Sequence, residues 1–316
     1  MDYRVTDSYA DPLDTTQPHT EQLVRMPRSF LCYTPHLPLL DVSPLPALAN
    51  GFVTFGTYNG LAKLQQGTIE VYAKILAAVP NSRFVLKAKP FVTERVRQRY
   101  LDMFASFGIA PERIALLGLV PHNTNHLTAY SLMDVSLDPW PYAGTTTTCE
   151  ALLMGVPSIT LKGNQHAHNV GVSLLTNTGH PEWVASTTEE YVKKAVDLAS
   201  NVPALAVIRG RLRDEFLMGG VCAVDPFVNE LEATYCQLWS QWTAARAGST
   251  EAAAAVGEPD QPADVEVAGG GNAGAAGEDV VLAEDNRSAR QRQLLGGAEP
   301  TNGDSKSTRR VTQVEP

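Results

Sequence analysis

The chain has 316 residues, 44% of them hydrophobic, which is enough to build one or two domains with a buried core. Its formal net charge of −9 argues against a general binder of nucleic acid or of anionic membranes. The longest apolar run, 114–120, is far too short to span a bilayer, and no secretory signal follows Met1. The four cysteines have no Cys-x-x-Cys spacing, which favours reduced thiols and disfavours a zinc site.

Residues 1–50 are rich in proline and do not predict an independent domain; their only strand-like stretch is 30–33. From residue 51 onward, predicted strands alternate with predicted helices. The strands are expected at 51–56, 83–87, 114–117, 133–137 and 156–161, and the helices at 68–78, 92–107, 145–154, 170–175, 189–199, 202–217 and 227–242. The alternation predicts one doubly wound α/β domain, whose parallel sheet is covered on both faces.

The last part of the chain carries three further expectations. Arg209, Arg211 and Arg213 should lie on the outer face of helix 202–217. Hydrophobic residues recur every three or four positions from Phe227 to Trp242, which predicts an amphipathic final helix. Beyond residue 245 the composition turns to alanine, glycine and scattered acids. Such a segment cannot bury enough surface to offset its ordering entropy, so residues 246–316 are predicted to be disordered.

The most informative stretch lies between the strands 133–137 and 156–161. Prolines and Gly144 break the chain into a loop, and the four threonines Thr145 to Thr148 stand where the next helix begins. A helix N-terminus offers unpaired N–H groups and a positive dipole end, so hydroxyls beside it make a cradle for an anion, most naturally a diphosphate. Gly144 would let a ligand approach the backbone, and Glu150 could accept hydrogen bonds from a ribose diol. The alternative is that Thr145 is an N-cap and the other threonines are solvated.

Other polar residues also follow predicted strands. Lys63, the loop 122–126 and the turn at Thr145 to Thr148, called here the threonine turn, can converge on one rim of the sheet, the edge formed by the carboxyl ends of the strands. Ligands of such sheets bind at this edge. No Gly-x-Gly-x-x-Gly occurs, which disfavours a dinucleotide dehydrogenase. His166 and His168 have no third metal ligand in sight, so a packing or capping role is expected, although their loop could touch a donor sugar.

Three blocks of this sequence resemble a known family. The runs 141–150, 154–157 and 166–175 are similar to the SPINDLY branch of the O-linked N-acetylglucosamine transferase family, nucleocytoplasmic protein glycosyltransferases of the GT-B type. The resemblance covers roughly residues 1–242. It implies that residues 1–50 are the remnant of the N-terminal catalytic half, and that 51–245 form the donor-binding Rossmann-like domain. Most of the N-terminal half and the upstream tetratricopeptide repeats would then be absent.

The same resemblance implies roles for particular residues. A lysine at the position of Lys63 lies against the donor phosphates, and a histidine at the position of His126 contacts the donor nucleotide. Neither residue would be singled out without the family motif. The implied donor-binding set is Asn59, Lys63, His126, Gly144, Thr145, Thr146, Thr147 and Glu150. No metal and no cofactor are implied, and the general base cannot be assigned because the family supplies much of it from the absent half.

Several positions depart from the animal enzymes that use N-acetylglucosamine. Asn123 and Ala129 stand in place of a lysine and an arginine, Thr145 replaces a histidine, and Glu150 replaces the ribose-binding aspartate. These changes are shared with the SPINDLY branch and point toward a guanosine donor. The implied activity is transfer of fucose from GDP-fucose to Ser or Thr of nuclear and cytosolic proteins. The alternatives are UDP-N-acetylglucosamine as donor, an inactive nucleotide-binding half, and, less favoured, a sugar-nucleotide epimerase.

Overall fold

The computed structural model describes residues 1–118 and 126–255, the last nine of these by their backbone alone. The strands of this part are β1 (Tyr3–Asp7), β2 (Gln22–Met26), β3 (Thr54–Thr57), β4 (Arg83–Lys87), β5 (Ile114–Leu117), β6 (Val135–Leu137), β7 (Ser158–Leu161) and β8 (Val184–Ala185). Its helices are α1 (Pro46–Asn50), α2 (Gln66–Ala78), α3 (Glu94–Ser106), α4 (Thr146–Leu153), α5 (His166–Thr178), α6 (Thr188–Ser200), α7 (Val202–Met218) and α8 (Val224–Ala255). Short 3₁₀ turns cover Leu61–Lys63 and His126–Leu132, among others.

The main sheet has six strands in the order β5-β4-β3-β6-β7-β8, and every neighbouring pair is parallel. The doubly wound α/β fold predicted from the sequence is therefore confirmed. The chain winds outward from β3 through β4 to β5, then returns to the other side of β3 as β6. The winding direction thus reverses between β3 and β6, and open α/β sheets bind their ligands at such a switch point.

The core explains why these residues form these elements. Phe55, Phe84 and Val135 on the central strands are fully buried. Tyr72 of α2 stacks on Phe84 with ring centroids 5.1 Å apart, so the helix covers one face of the sheet. Gly56 of β3 has no room for a side chain, because a Cβ would lie 2.5–2.7 Å from atoms of Val85 and Met133. These contacts hold β3, β4 and β6 together beneath the switch point.

The expectation of a strand at 30–33 is wrong, and the first 50 residues contain strands elsewhere. β1 and β2 form a separate parallel pair in which Tyr3 lies opposite Gln22. In 30–33, Phe30, Leu31 and Tyr33 are partly buried against the core, and the backbone N–H of Tyr33 donates to the carbonyl of Val221. Their hydrophobic character serves packing against the helical layer rather than pairing with another strand.

The final helix is longer than predicted. α8 runs to Ala255 and so includes the first ten residues of the predicted disordered tail, because alanine-rich sequence favours helix. The predicted tail from 256 to 316 and the loop 119–125, with Asn123, lie outside the described residues. Tyr235, Trp239 and Trp242 of α8 are 56%, 65% and 41% exposed, which leaves an apolar face uncovered. No helix in the described part of the chain is long and apolar enough to cross a membrane.

The prediction that three arginines of α7 point outward is wrong for Arg209. Its side chain is 2% exposed and donates to the carbonyls of Ser43, Met133 and Tyr130. Burial lowers the pKa of its guanidinium to about 10, an effect that the charge of Asp134 opposes. Arg213 is half-buried and donates to the carbonyl of Leu153, whereas Arg211 is exposed beside Glu215. Arg209 therefore ties α7 to the chain segments that flank α1 and β6.

Candidate functional site

The side chains expected at the rim meet at the switch point between β3 and β6. Lys63 follows β3, and its Nζ donates to the carbonyl oxygen of Ala143 at 2.8 Å. The same ammonium lies 4.1 Å from the ring centroid of Tyr142. Burial lowers the pKa of Lys63, and the nearby charge of Asp138 opposes this. An ammonium has three donors, so Lys63 can hold this loop and still face an anion.

Of the four threonines in the threonine turn, one is buried in the fold and three lie at least partly at the surface. Thr148 is buried, and its hydroxyl lies 3.4 Å from Asp138 Oδ1, whereas Thr146 is exposed and Thr145 and Thr147 are partly exposed. Thr145 occupies the N-cap position of α4, but its side chain makes no capping hydrogen bond. Three of the four threonines are thus exposed or partly exposed beside the N–H groups at the start of α4. This arrangement can hold an anion.

Asp138 directly follows β6 and holds this turn in place through buried hydrogen bonds. Its Oδ1 accepts from the N–H of Gly144 at 2.7 Å, and its Oδ2 accepts from the hydroxyl of Thr160 at 2.8 Å. Burial raises the pKa of Asp138 to about 6, although these hydrogen bonds and the charge of Lys63 lower it. A Cβ on Gly144 would lie 2.8 Å from Asp138 Oδ1 and closer still to the hydroxyls of Thr147 and Thr148. Packing inside the turn thus requires a glycine at position 144, because there is no room for a side chain.

A second polar group lies on the β3 side of the turn. His126 Nε2 is 2.7 Å from Glu150 Oε1, and the Tyr130 hydroxyl donates to Glu150 Oε2 at 3.1 Å. The Tyr130 hydroxyl is also 3.1 Å from the carbonyl oxygen of Thr147. Each carboxylate oxygen has a further lone pair, so Glu150 can still accept from a diol. Asn59 is 5% exposed; its Oδ1 accepts from Thr147 and its Nδ2 donates to Thr57, so it orients Thr147.

Comparison with models of protein families shows to which family the chain belongs. Residues 34–231 match the model of glycosyl transferase family 41. The chain belongs to glycosyltransferase family 41.

Two plant relatives within this family are similar over most of the chain. It is 52% identical over 242 residues to a rice protein (Oryza sativa subsp. japonica) named probable UDP-N-acetylglucosamine–peptide N-acetylglucosaminyltransferase SPINDLY. It is 30% identical over 250 residues to the Arabidopsis thaliana protein of the same enzyme name that is called SEC. These matches cover 77% and 76% of this chain, but 26% and 25% of the relatives. The chain thus spans about a quarter of the length of these relatives.

A solved structure extends the family assignment to the fold. The O-GlcNAc transferase of Thermobaculum terrenum, determined as a mutant, superposes with a TM-score of 0.69 at 36% sequence identity. The superposition covers 76% of this chain and 45% of that protein. Together with the parallel sheet, it identifies the chain as the GT-B type of fold expected for family 41.

Sequence reasoning about this family-41 site missed two residues. Asp138 and Tyr130 were not selected, yet they hold the turn and Glu150. A signal existed for Asp138, because an acid at the end of a strand that is otherwise apolar must find internal hydrogen bonds. Trp140 packs against the core, and Tyr142 lies under Lys63. Tyr142 is nevertheless 54% exposed, whereas Trp140 is partly buried.

The two histidines of the next loop take different places. Both were expected before a helix at 170–175, but α5 begins at His166, so His166 and His168 lie in its first turn. His168 packs against Gly163, where a Cβ would be 2.1 Å from its Nδ1. Among residues 1–118 and 126–255, no group of three His, Cys, Asp or Glu side chains could hold a metal ion.

The accessible hydroxyls give a first test of the site. We expect Thr146→Ala combined with Thr147→Ala to weaken nucleotide binding more than it weakens folding. Each hydroxyl hydrogen bond contributes about 0.5–1.5 kcal/mol, and more to a charged partner, while neither side chain belongs to the core. Calorimetric titration and urea unfolding of the same samples measure the two effects. A double variant with unchanged nucleotide affinity would place the site elsewhere; Ser131→Ala, an exposed hydroxyl outside the turn, is the control.

Asp138 gives a test by pH. The pKa of Asp138 is raised to about 6 in the folded chain, so folding favours the protonated carboxyl. The protonated carboxyl therefore stabilises the folded wild type below about pH 4, and this stabilisation is lost as the pH rises through 6. Asp138→Asn cannot titrate. We expect the stability of the variant relative to the wild type to increase by about 2–3 kcal/mol between pH 4 and pH 7. Urea unfolding across this range measures it, and a difference that does not vary with pH would contradict the assignment.

Proposed function

We propose that this chain carries the donor-binding domain of a protein O-glycosyltransferase. The favoured donor is GDP-fucose, and the acceptors are Ser and Thr hydroxyls of nuclear and cytoplasmic proteins. The observation that carries the proposal is the threonine turn at the switch point. There Lys63, the start of α4 and three exposed or partly exposed threonines meet within a family-41 fold.

The proposed chemistry concerns the leaving group. The acceptor hydroxyl attacks the anomeric carbon, and the bond to the donor diphosphate breaks with its electron pair on the phosphate. Lys63 supplies a positive charge, and α4 adds the positive end of its dipole, about half an elementary charge. Both are oriented before the reaction, so they stabilise the growing negative charge without reorganisation. In this proposal the reaction uses neither a metal ion nor a cofactor.

The arrangement of groups orders the parts of a bound donor. With the diphosphate on the threonine turn, Glu150 and His126 on the β3 side of α4 are the partners for the ribose and the nucleoside. Glu150 is partly enclosed, and its two hydrogen bonds to His126 and Tyr130 fix the direction of its carboxylate. A carboxylate oriented in advance gives more binding energy than a mobile one, because its ordering entropy is already lost.

The identity of the donor is decided by titration. The relatives are named for UDP-N-acetylglucosamine, which makes that compound the alternative donor. Calorimetric titration with GDP, GDP-fucose, UDP and UDP-N-acetylglucosamine compares the two nucleotides and the two sugars directly. We expect guanosine ligands to bind at least about tenfold tighter, a difference of about 1.4 kcal/mol. Tighter uridine binding would establish the alternative donor, and binding of none of the four would refute the proposed function.

A second candidate function is a nucleotide-binding half without activity of its own. The uncovered face of α8 favours it, because Tyr235, Trp239 and Trp242 lack a covering layer within the described residues. Nucleotide affinity without any sugar transfer is its expected signature.

A further inference from the structure

A histidine and a buried aspartate form a pair at the start of α5. His166 Nδ1 lies 2.8 Å from Asp11 Oδ2, which also accepts from the hydroxyl of Thr6. Asp11 is fully buried, and its other oxygen has no hydrogen-bond partner in the structure. The backbone N–H of His166 donates to Gln17 Oε1 at 2.8 Å, so residues of the N-terminal segment fix both the backbone and the ring.

The state of Asp11 determines which ring atom of His166 is available. Burial raises the pKa of Asp11, but the hydrogen bonds from Thr6 and His166 and nearby positive charges outweigh it and lower the pKa overall. An ionised carboxylate only accepts, so Nδ1 of His166 carries a proton and donates to it. The side chain is 17% exposed, and no hydrogen bond within the described part of the chain engages Nε2. An oriented imidazole with Nε2 available can bind a hydroxyl group.

The pair lies beside the threonine turn, on the side away from Glu150. The N–H of Ala143 donates to the carbonyl of Ala167 at 2.9 Å, and the carbonyl of Ala143 accepts from Lys63. His166 immediately precedes Ala167 in the chain, so its backbone lies close to this contact. α5 follows β7, which neighbours β6 on the side opposite β3. Along the rim of the sheet, the groups therefore lie in the order Glu150 with His126, then the threonine turn, then His166.

A polar cavity is lined by chain neighbours of both residues of the pair, Pro12 after Asp11 and Gly163 before His166. Its volume is about 170 Å³, and its lining includes Thr15, Thr16, Lys162, Asn164 and Asn169. Asn169 is buried and donates to the carbonyl of Ala10, next to Asp11. The lining also includes Asp14, so hydroxyls, amides, a carboxylate and an ammonium provide the donors and acceptors that a ligand with several hydroxyl groups requires.

The geometry points to a sugar subsite made of His166, oriented by Asp11, and this polar cavity. A nucleotide sugar has its nucleoside, diphosphate and sugar in a fixed order, so a diphosphate on the threonine turn with its ribose at Glu150 extends the sugar toward His166. His166 Nε2 binds one sugar hydroxyl, and the cavity receives the remaining ones. This subsite rests on the proposed function, because the threonine turn must hold the diphosphate.

The test compares each nucleotide with its sugar conjugate on the full chain. Histidine ring nitrogens are observed by NMR in the ¹⁵N-labelled wild type, first with GDP and then with GDP-fucose, or with the uridine pair if that binds more tightly. We expect the His166 Nε2 signal to shift with the nucleotide sugar and not with the diphosphate alone. The exposed His36 is the reference and should not respond to either ligand.

Variants give an independent measurement by calorimetry. His166→Gln and Asn164→Ala should each weaken the nucleotide sugar roughly 3- to 10-fold, and leave the diphosphate within about twofold. His36→Gln should change neither affinity. Equal effects on diphosphate and nucleotide sugar, or a His166 signal that ignores a bound donor, would overturn the subsite and leave the proposed function standing. If none of the four nucleotides binds, the proposed function fails and the subsite fails with it.

Discussion

Sugar transfer by this chain should rise on the order of 10³-fold or more when the N-terminal catalytic half that the family resemblance implies is taken from the rice relative and joined to its amino end. The chain spans about a quarter of that relative, and GT-B sites lie in a cleft between two domains. The residues proposed to hold the donor lie on one rim, so nucleotide affinity should change little. Placing the acceptor hydroxyl in line can account for roughly 7–11 kcal/mol of the barrier, which a single wall of the cleft cannot supply.

The measurement is transfer of radiolabelled fucose from GDP-fucose to a Ser/Thr-rich protein, with the chain alone and with the chimeric protein. A chimera carrying Lys63→Met is the matched control and should lose the gain, because the leaving diphosphate then lacks its positive charge. Comparable turnover by the chain alone and by the chimera would show that the described residues already form both walls of a working site.

Arg209→Met should destabilise the fold by about 3–5 kcal/mol. The guanidinium is 2% exposed and donates to three carbonyls, those of Ser43, Tyr130 and Met133. Methionine fills a similar volume but removes the Arg209 donors from these three oxygens, and it removes a positive charge that acts on the carboxylate of Asp134. Burial already raises the pKa of Asp134, whose oxygens accept from the N–H groups of Ala47 and Thr54.

Arg211→Met is the control on the same helix. Arg211 is 58% exposed and pairs with Glu215 at 3.1 Å, so its loss should cost less than about 1 kcal/mol. Urea unfolding followed by circular dichroism gives both values. Similar losses from the two variants would mean that the buried hydrogen bonds of Arg209 add little to the stability of this fold.

The sequence alone determined the fold and the place of the candidate site. Runs of Phe84, Val85 and Leu86, or of Val135 and Leu137, have the length and residue types of buried strands, and the intervening helices have clear periodicity. A parallel doubly wound sheet follows from that alternation, and its strands end at one rim. The threonine turn, Lys63 and the loop that ends at His126 could be placed at this rim because each follows a strand, whereas the roles of Lys63 and His126 came from the family resemblance.

Only the tertiary structure decided which polar groups serve the fold and which remain accessible. Thr148 and Thr147 are adjacent in the chain, yet one is buried on Asp138 and the other is held at the surface by Asn59. Arg209 and Arg211 are equally charged, yet only Arg209 meets buried carbonyls. The partner of His166 is Asp11, 155 residues away. Periodicity records the side of an element on which a residue lies, whereas burial and pairing depend on which distant segments pack against that side.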